Sequence, residues 1–321
     1  MIKTNSLSAW ILAARPKTLT AAAVPVLIGI AYAFRDRCIH DQCLQGHDLQ
    51  NFQWLPALLC LLFAWIMQID SNFVNDYFDY KHGNDDETRL GPKRACAEGW
   101  ITLPAMKRGI IITTLLGCLT GLPLILYGGW EMVFVGMACV VFCFLYTTLF
   151  SYLGLGDLLV LVFFGIVPVC CTYYVVMPAT EQTFTWEVFL ASVACGMTVD
   201  TLLVVNNYRD RENDRCAGKK TLIVRIGSVN AERFYLALGI LPSVIMMALI
   251  LWHSLTMGTH SAAIVFYSIC IVQYIFSYRE MKRIHEGVAL NGILGYTSRN
   301  IFIFGTITFV AVIWSVLAIM I

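Results

Sequence analysis

Of the 321 residues, 58% are hydrophobic and only 13% charged, and the mean hydropathy is +0.70, which excludes an ordinary soluble domain. A formal net charge of +1 offers no basic surplus for a nucleic acid, so no nucleic-acid partner is expected. The remaining class is a polytopic membrane protein.

The first apolar run, near 19–34, follows Arg15-Pro16-Lys17 and contains Pro25. It reads as a retained helix rather than a signal peptide, because no short charged start leads directly into a cleavable apolar core. After an external stretch at 35–53, further runs lie near 54–75, 109–127, 130–150 and 157–177. Four more follow near 187–207, 234–252, 261–278 and 301–320. Each approaches the roughly 20 residues that cross hydrocarbon as a helix, and such continuous apolarity is unlike the alternation of barrel strands. The expectation is an all-α bundle of nine transmembrane helices around a central cavity, one domain spanning 1–321. The long segments near 80–108 and 209–233 would cap it.

Lysine and arginine positions test this topology independently. Twenty of the 22 fall on one side: at Lys3 to Lys17, in the second-to-third loop, in the sixth-to-seventh loop and in the eighth-to-ninth loop. Only Arg35 and Arg37 fall on the other, so the positive-inside rule places the N-terminus and the long loops in the cytoplasm. The opposite face then offers no charge to match. The twelve cysteines lie mostly in the spans without a CxxC pair, and adjacent Cys170 and Cys171 read as small apolar filler. Whether Cys38 and Cys43 pair in the external loop stays open.

Two spans end in nearly the same acidic segment, Asn75-Asp76-Tyr77-Phe78-Asp79 and, 131 residues later, Asn206-Asn207-Tyr208-Arg209-Asp210. The offset covers four helices, which suggests two pseudo-repeated four-helix halves plus a ninth helix, with the site between the halves. Asn72, Asn75, Asp76 and Asp79 share one helical face, and so do Asn206, Asp210 and Asp214. Acids at membrane depth are costly and mark functional sites. Hard oxygen ligands converging from two helices suit Mg²⁺, which takes one or two carboxylates and completes its octahedron with water and substrate phosphate. Asp85, just beyond the first motif, is a further candidate ligand or else a solvated loop acid.

The second motif runs on to Lys219, Lys220 and Arg225, cations placed to contact a diphosphate or to serve topology. Arg209 and Arg211, alternating with acids, suit structural salt bridges. Arg89, Lys93 and Arg94 lie in the first cap loop. Among many aromatic residues, Tyr146 and Tyr152 flank a short loop on the motif side, where ring faces would attract a carbocation; helix packing is the plainer use. Asp157, opening the fifth span, suits that helix's positive N-terminus.

These residues resemble the UbiA-type intramembrane prenyltransferase superfamily, whose members bind polyprenyl diphosphate through Mg²⁺ at two Asp-rich motifs on nine helices. The superfamily's Asn-x3-Asp-x3-Asp falls on Asn75, Asp79 and Gly83, so the last acid is displaced by two, to Asp85. That departure resembles the 1,4-dihydroxy-2-naphthoate polyprenyltransferases of menaquinone synthesis. The stretch from Asn206 through Asp210, Asp214, Gly218, Lys219, Thr221, Leu222, Val224 and Arg225 to Gly227 is similar to their longest signature. Arg15 to Leu19, Gly154-Leu155-Gly156-Asp157 and Asn291-x2-Leu294-x2-Thr297 agree with shorter ones, with Asp157 standing where relatives often carry Glu.

The resemblance implies a multi-pass enzyme of the bacterial cytoplasmic membrane, with loss of diphosphate to an allylic cation, attack by the naphthoate ring and loss of carbon dioxide. It implies Asn75, Asp76, Asp79, Asp210 and Asp214 as metal holders, Lys219, Lys220 and Arg225 as diphosphate contacts, and Arg89, Lys93 or Arg94 as contacts of the acceptor carboxylate. The alternatives are another aromatic acceptor such as 4-hydroxybenzoate, or a transporter or lipid-binding protein for anions. A transporter would place its polar groups near the bilayer midplane.

Overall fold

A computed structural model describes residues 2–43, 52–83, 89–257 and 263–320. Among them every regular element is helical. The chain opens with α1 (Leu7–Ala14), where Ser6 accepts from the Ala9 N–H and Arg15 ends the helix in left-handed backbone with φ 51. Pro16, which lacks a backbone donor, then starts α2 (Pro16–Cys43). Next come α3 (Trp54–Lys81), α4 (Leu103–Gly121) and α5 (Ile125–Gly128), the last continuing α4 through a 3-10 turn and stopping at Gly129, φ 75. Helix α6 (Glu131–Leu145) passes through a π turn at Tyr146–Phe150 into α7 (Ser151–Leu153). A second π turn, Val162–Ile166, joins α8 (Gly156–Leu161) to α9 (Val167–Val176). Helices α10 (Trp186–Cys216), α11 (Leu222–Met257, broken at Gly227), α12 (Ala263–Ile284) and α13 (Asn291–Met320) complete the chain.

Among the described residues eight helices are long and apolar enough to cross a membrane. The remaining expected span, near 261–278, falls on α12, a helix of 22 residues that carries Gln273 and ends in charge from Arg279 to Arg283, and it is the one outside that set. Helix α3 packs on α4 as α10 packs on α11, the pairing that the 131-residue offset implies. Helix α2 lies centrally against α3, α9 and α13. Small residues bring α8 and α9 onto α10: a Cβ built on Gly165 would lie 2.5 Å from the Gly196 Cα. Backbone approach of this kind replaces the hydrophobic drive that lipid removes. The outer faces of α4 and α6 show apolar side chains such as Ile112, Leu115, Leu119 and Phe134 to the surroundings.

Two expectations change here. The second cap loop shrinks to 217–221, because α10 continues to Cys216 and carries Asp210 and Asp214 on a helix. The end opposite the motifs is also charged internally: Arg35 pairs with Asp36 at 2.7 Å and with Glu187, Arg37 pairs with Glu181 at 2.8 Å, and Tyr173 donates to Asp36 at 2.9 Å. Sequence reading placed both arginines in a loop, whereas α2 extends past them and turns their heads into the bundle. The Cys43 side chain and Asp85 lie outside the described residues, so neither the Cys38–Cys43 pairing nor that ligand is described.

Candidate functional site

The last turns of α3 divide the first motif between two tasks. Asp79 pairs with Arg94 at 2.8 Å, and Asn75 accepts from the Thr147 hydroxyl at the π turn that ends α6. Asp76 differs from both: its Oδ2 takes the Ala95 N–H at 2.8 Å and its Oδ1 the Cys96 N–H at 2.9 Å, in a buried setting. Its carboxylate is therefore spent on holding the first cap loop, which corrects the expectation of a metal ligand. Asn72 is corrected likewise. Its amide donates to the Ala14 carbonyl and the Thr18 hydroxyl, both at 3.0 Å, and so ties α3 to the start of α2. Helical spacing alone could not separate these residues, because Asp76 is only about 60° from Asp79 on the helix wheel.

The second motif is held from two sides. Arg209, buried, donates to both oxygens of Asp210 at 2.8 and 2.5 Å and to Asn291 at 2.8 Å; Asn291 in turn donates to the Leu90 carbonyl. One guanidinium thus joins α10, the first cap loop and the start of α13. Arg211 stacks on Tyr208, 4.5 Å from its ring centre, and donates to the Tyr208 and His285 carbonyls. Arg209 has the salt bridge expected of it, whereas Arg211 is held chiefly by the ring and the two carbonyls, with Glu212 at 3.9 Å. The Asn206 amide donates to the Leu202 carbonyl, leaving its oxygen for a cation, and Asp214 meets Lys219 at 3.7 Å.

The two motifs face one another. Asp210 and Asp79 both act electrostatically on Asp214, and Asp79, Asp214, Asp157 and Asp200 all act on Tyr146. Lys219 lies 5.3 Å from the Tyr152 ring centre, so that ring partners a lysine of the second cap loop. The loop at 152–155 and the loop at 217–221 are laced together: the Lys220 N–H donates to the Tyr152 carbonyl at 3.0 Å, and Arg225 donates to the Leu153 carbonyl at 2.8 Å. Lys220 and Arg225 are exposed. Lys93 turns outward to Glu98 at 2.8 Å, away from the acids, which corrects its assignment to an acceptor. Arg89 sits with Arg209 at Gly91, where each guanidinium lies 2.9 Å from a built Cβ.

Gly154 fixes the lacing. Its φ is +72 and a Cβ built on it would lie 2.2 Å from the Lys220 carbonyl oxygen. A side chain there meets both backbone strain of about 1–2 kcal/mol and a backbone collision. Gly154→Ala is expected to raise the KM for the anionic substrate about 10-fold by displacing Lys219. An unchanged KM would show that the loops close on each other without it.

Asn75, Asp79, Asn206, Asp210 and Asp214 form a hard, oxygen-rich donor set, balanced here by Arg94, Arg209 and Lys219. Among the described residues no three His, Cys, Asp or Glu side chains close into a metal cage. That open arrangement fits Mg²⁺, which relies on substrate phosphate for much of its coordination. The acids do not line the open cleft beside α3. A cleft of about 440 Å³, lined by Tyr77, Phe78, Lys81, Lys107, Ile110 and Phe144, opens on the face of α3 turned away from Asn75 and Asp79. Sequence reading missed Thr147 and Asp200 entirely and gave Asn291 no role; nothing in their local spacing points to the site.

Residues 47–293 match the model of the UbiA prenyltransferase family. The chain is 38% identical over 258 residues to a 1,4-dihydroxy-2-naphthoate octaprenyltransferase of Escherichia coli (strain K12), a match covering 77% of this chain and 78% of the relative. It is 34% identical over 250 residues to the enzyme so described from Mycobacterium tuberculosis, covering 76% and 80%. Among solved structures, a UbiA homolog from Aeropyrum pernix K1 superposes with a TM-score of 0.64 at 13% identity, over 90% of this chain and 96% of that one. A UbiA homolog from Archaeoglobus fulgidus bound to GPP and Mg²⁺ gives 0.58 at 15% identity, over 95% and 99%. At such identities the likeness is one of fold.

Proposed function

The chain belongs to the UbiA prenyltransferase family, and from that premise we propose that it transfers a polyprenyl group from polyprenyl diphosphate to 1,4-dihydroxy-2-naphthoate. Diphosphate and carbon dioxide leave, and the product, a demethylmenaquinone, stays in the bilayer. The observation that carries this reading is the facing of two acid motifs, each backed by arginine or lysine, at one end of an apolar bundle. The names of the relatives described above supply the acceptor.

In this reading Asn75, Asp79, Asn206, Asp210 and Asp214 hold Mg²⁺. Bound there, the ion would neutralise part of the diphosphate's charge and ease its departure. Lys219, Lys220 and Arg225, which follow the second motif, meet the remaining phosphate oxygens; fixed cations of this kind stabilise charge as it builds on a leaving group. Arg94 and Arg209 hold Asp79 and Asp210 in place through their ion pairs. Tyr146, beside the acids, offers its ring face to the allylic carbon as positive charge grows there. The motif end is cytoplasmic, in a bacterial inner membrane, and the prenyl chain lies among the spans.

The test is prenyl transfer by the purified protein in lipid, given 1,4-dihydroxy-2-naphthoate and a polyprenyl diphosphate. Demethylmenaquinone formation that stops on chelation and returns with Mg²⁺ is expected. Product from 4-hydroxybenzoate alone would replace the acceptor while keeping the site. Silence with every aromatic acceptor would favour transport or lipid binding instead.

A further inference from the structure

Below the motif acids, the bundle buries two more carboxylates to which the mechanism gives no work. Leu161 of α8 and Gly196 of α10 touch, since a Cβ built on Gly196 would lie 2.7 Å from the Leu161 carbonyl oxygen and 3.1 Å from its Cα. The two helices run antiparallel, so one turn toward the motif end sets Asp157 opposite Asp200. The Asp157 charge acts directly on Asp200. Exposure is only 9% at Asp157 and 3% at Asp200. Both oxygens of Asp157 and the Oδ1 of Asp200 are shut off from solvent, and beyond the backbone amide of Asp157 itself no donor reaches them among the described residues.

Buried acceptors in lipid are costly unless a donor reaches them, and each such group calls for an explanation. A structural ion pair is not the answer, because no cation is paired with either acid among the described residues. Position suggests another. Asp200 lies six residues before Asn206, about 9 Å deeper along the same helix. Tyr146 is within electrostatic range of this pair and of Asp79 and Asp214, and its hydroxyl is 3.7 Å from a Cβ built on Gly156. A nucleophile reaches the first carbon of a prenyl diphosphate from the side away from the departing diphosphate, and Asp157 and Asp200 lie away from the motif acids that would hold that group.

We propose that Asp157 and Asp200 form the hydroxyl subsite for the aromatic acceptor, accepting hydrogen bonds from the ring O–H groups of a dihydroxyarene beside Tyr146. The subsite rests on the prenyl-transfer reading above and extends it to residues that set acceptor choice. A site built to bond a substrate hydroxyl discriminates strongly against an analogue lacking it, because its own polar groups are then left unpaired.

The experiment compares wild type with Asp157→Asn and Asp200→Asn in nanodiscs, using 1,4-dihydroxy-2-naphthoate and its two mono-O-methyl ethers. Each variant should lose at least about 10-fold in kcat/KM for the dihydroxy acceptor, with KM for prenyl diphosphate unchanged. Wild type should reject at least one ether by a similar factor, and the variant lacking that contact should accept both acceptors within about 2-fold of each other. Thermal stability should hold or rise, since a bare buried acid has been neutralised. Retained acceptor kinetics, or losses shared by both substrates together with a lower Tm, would overturn the subsite and make the pair structural. Wild type that turns over no hydroxyarene would remove the functional reading and the subsite with it. Wild type that turns over while both variants behave normally would remove the subsite alone.

Discussion

Asp79→Ala and Asp210→Ala should each lower kcat/KM at least about 1000-fold, and raising Mg²⁺ should not restore it. Each removes a carboxylate from the face where the two motifs meet. Each also leaves in place the guanidinium that had answered it, Arg94 at 2.8 Å or Arg209 at 2.5 Å, so the local charge becomes strongly positive. That distinguishes two roles for the acids. If the carboxylates served only to neutralise those arginines, the doubly altered Asp79→Ala/Arg94→Ala protein would recover activity. If they hold the metal, the pair stays inactive although its charge balance is restored. Asp214→Asn, which keeps its shape and can still accept a bond from Lys219, should cost less than either alanine, on the order of 100-fold. Rates are read from product extracted into organic solvent, and folding from thermal denaturation in lipid. Activity within about 10-fold of wild type in both single alanine variants would remove the two-motif mechanism.

How far the sequence spoke depends on what each signal measures. Spans were legible because lipid demands long apolar helices. Eight of the nine expected spans are long and apolar enough among the described residues, and α12, which ends in charge from Arg279 onward, is the one outside them. The second motif was legible because Asp210 and Asp214 are a turn apart and both face the first motif. The first was only half legible. Asn72, Asn75, Asp76 and Asp79 make one stripe on a helix, but a stripe about 100° wide meets more than one neighbour. Here Asn72 meets α2, Asp76 meets the cap loop, and only Asn75 and Asp79 turn to the site. What decides between them is the path of residues 89–102, which carry no periodicity to read. Asp200 was illegible for a different reason: a lone acid in a long apolar run has no partner nearby in the chain, and its partner Asp157 is 43 residues away, set opposite by the contact of Leu161 with Gly196.

Asp76 offers the sharpest contrast with Asp79, because the two acids stand three residues apart and are assigned opposite kinds of work. Both oxygens of Asp76 accept backbone N–H groups inside the protein, and a charged acceptor of two buried bonds contributes on the order of 3 kcal/mol. Asp76→Ala strands the Ala95 and Cys96 amides, frees the turn that ends at Trp100 and loosens Arg94, which that turn carries. The expected result is a Tm lower by several degrees and faster protease cleavage within 89–102, together with reduced activity. The activity that survives should keep the wild-type dependence on Mg²⁺ concentration. Asp79→Ala should remove turnover while leaving cleavage within 89–102 near wild type, because the Ala95 and Cys96 amides keep their acceptor. An Asp76→Ala protein of normal stability whose half-saturating Mg²⁺ concentration has risen about 10-fold or more would mean that the carboxylate leaves the loop to join the metal site when substrate binds. The cap loop would then be a lid whose latch is also a ligand, and the stripe of four polar residues on α3 would have one more member at the chemistry than the present geometry gives it.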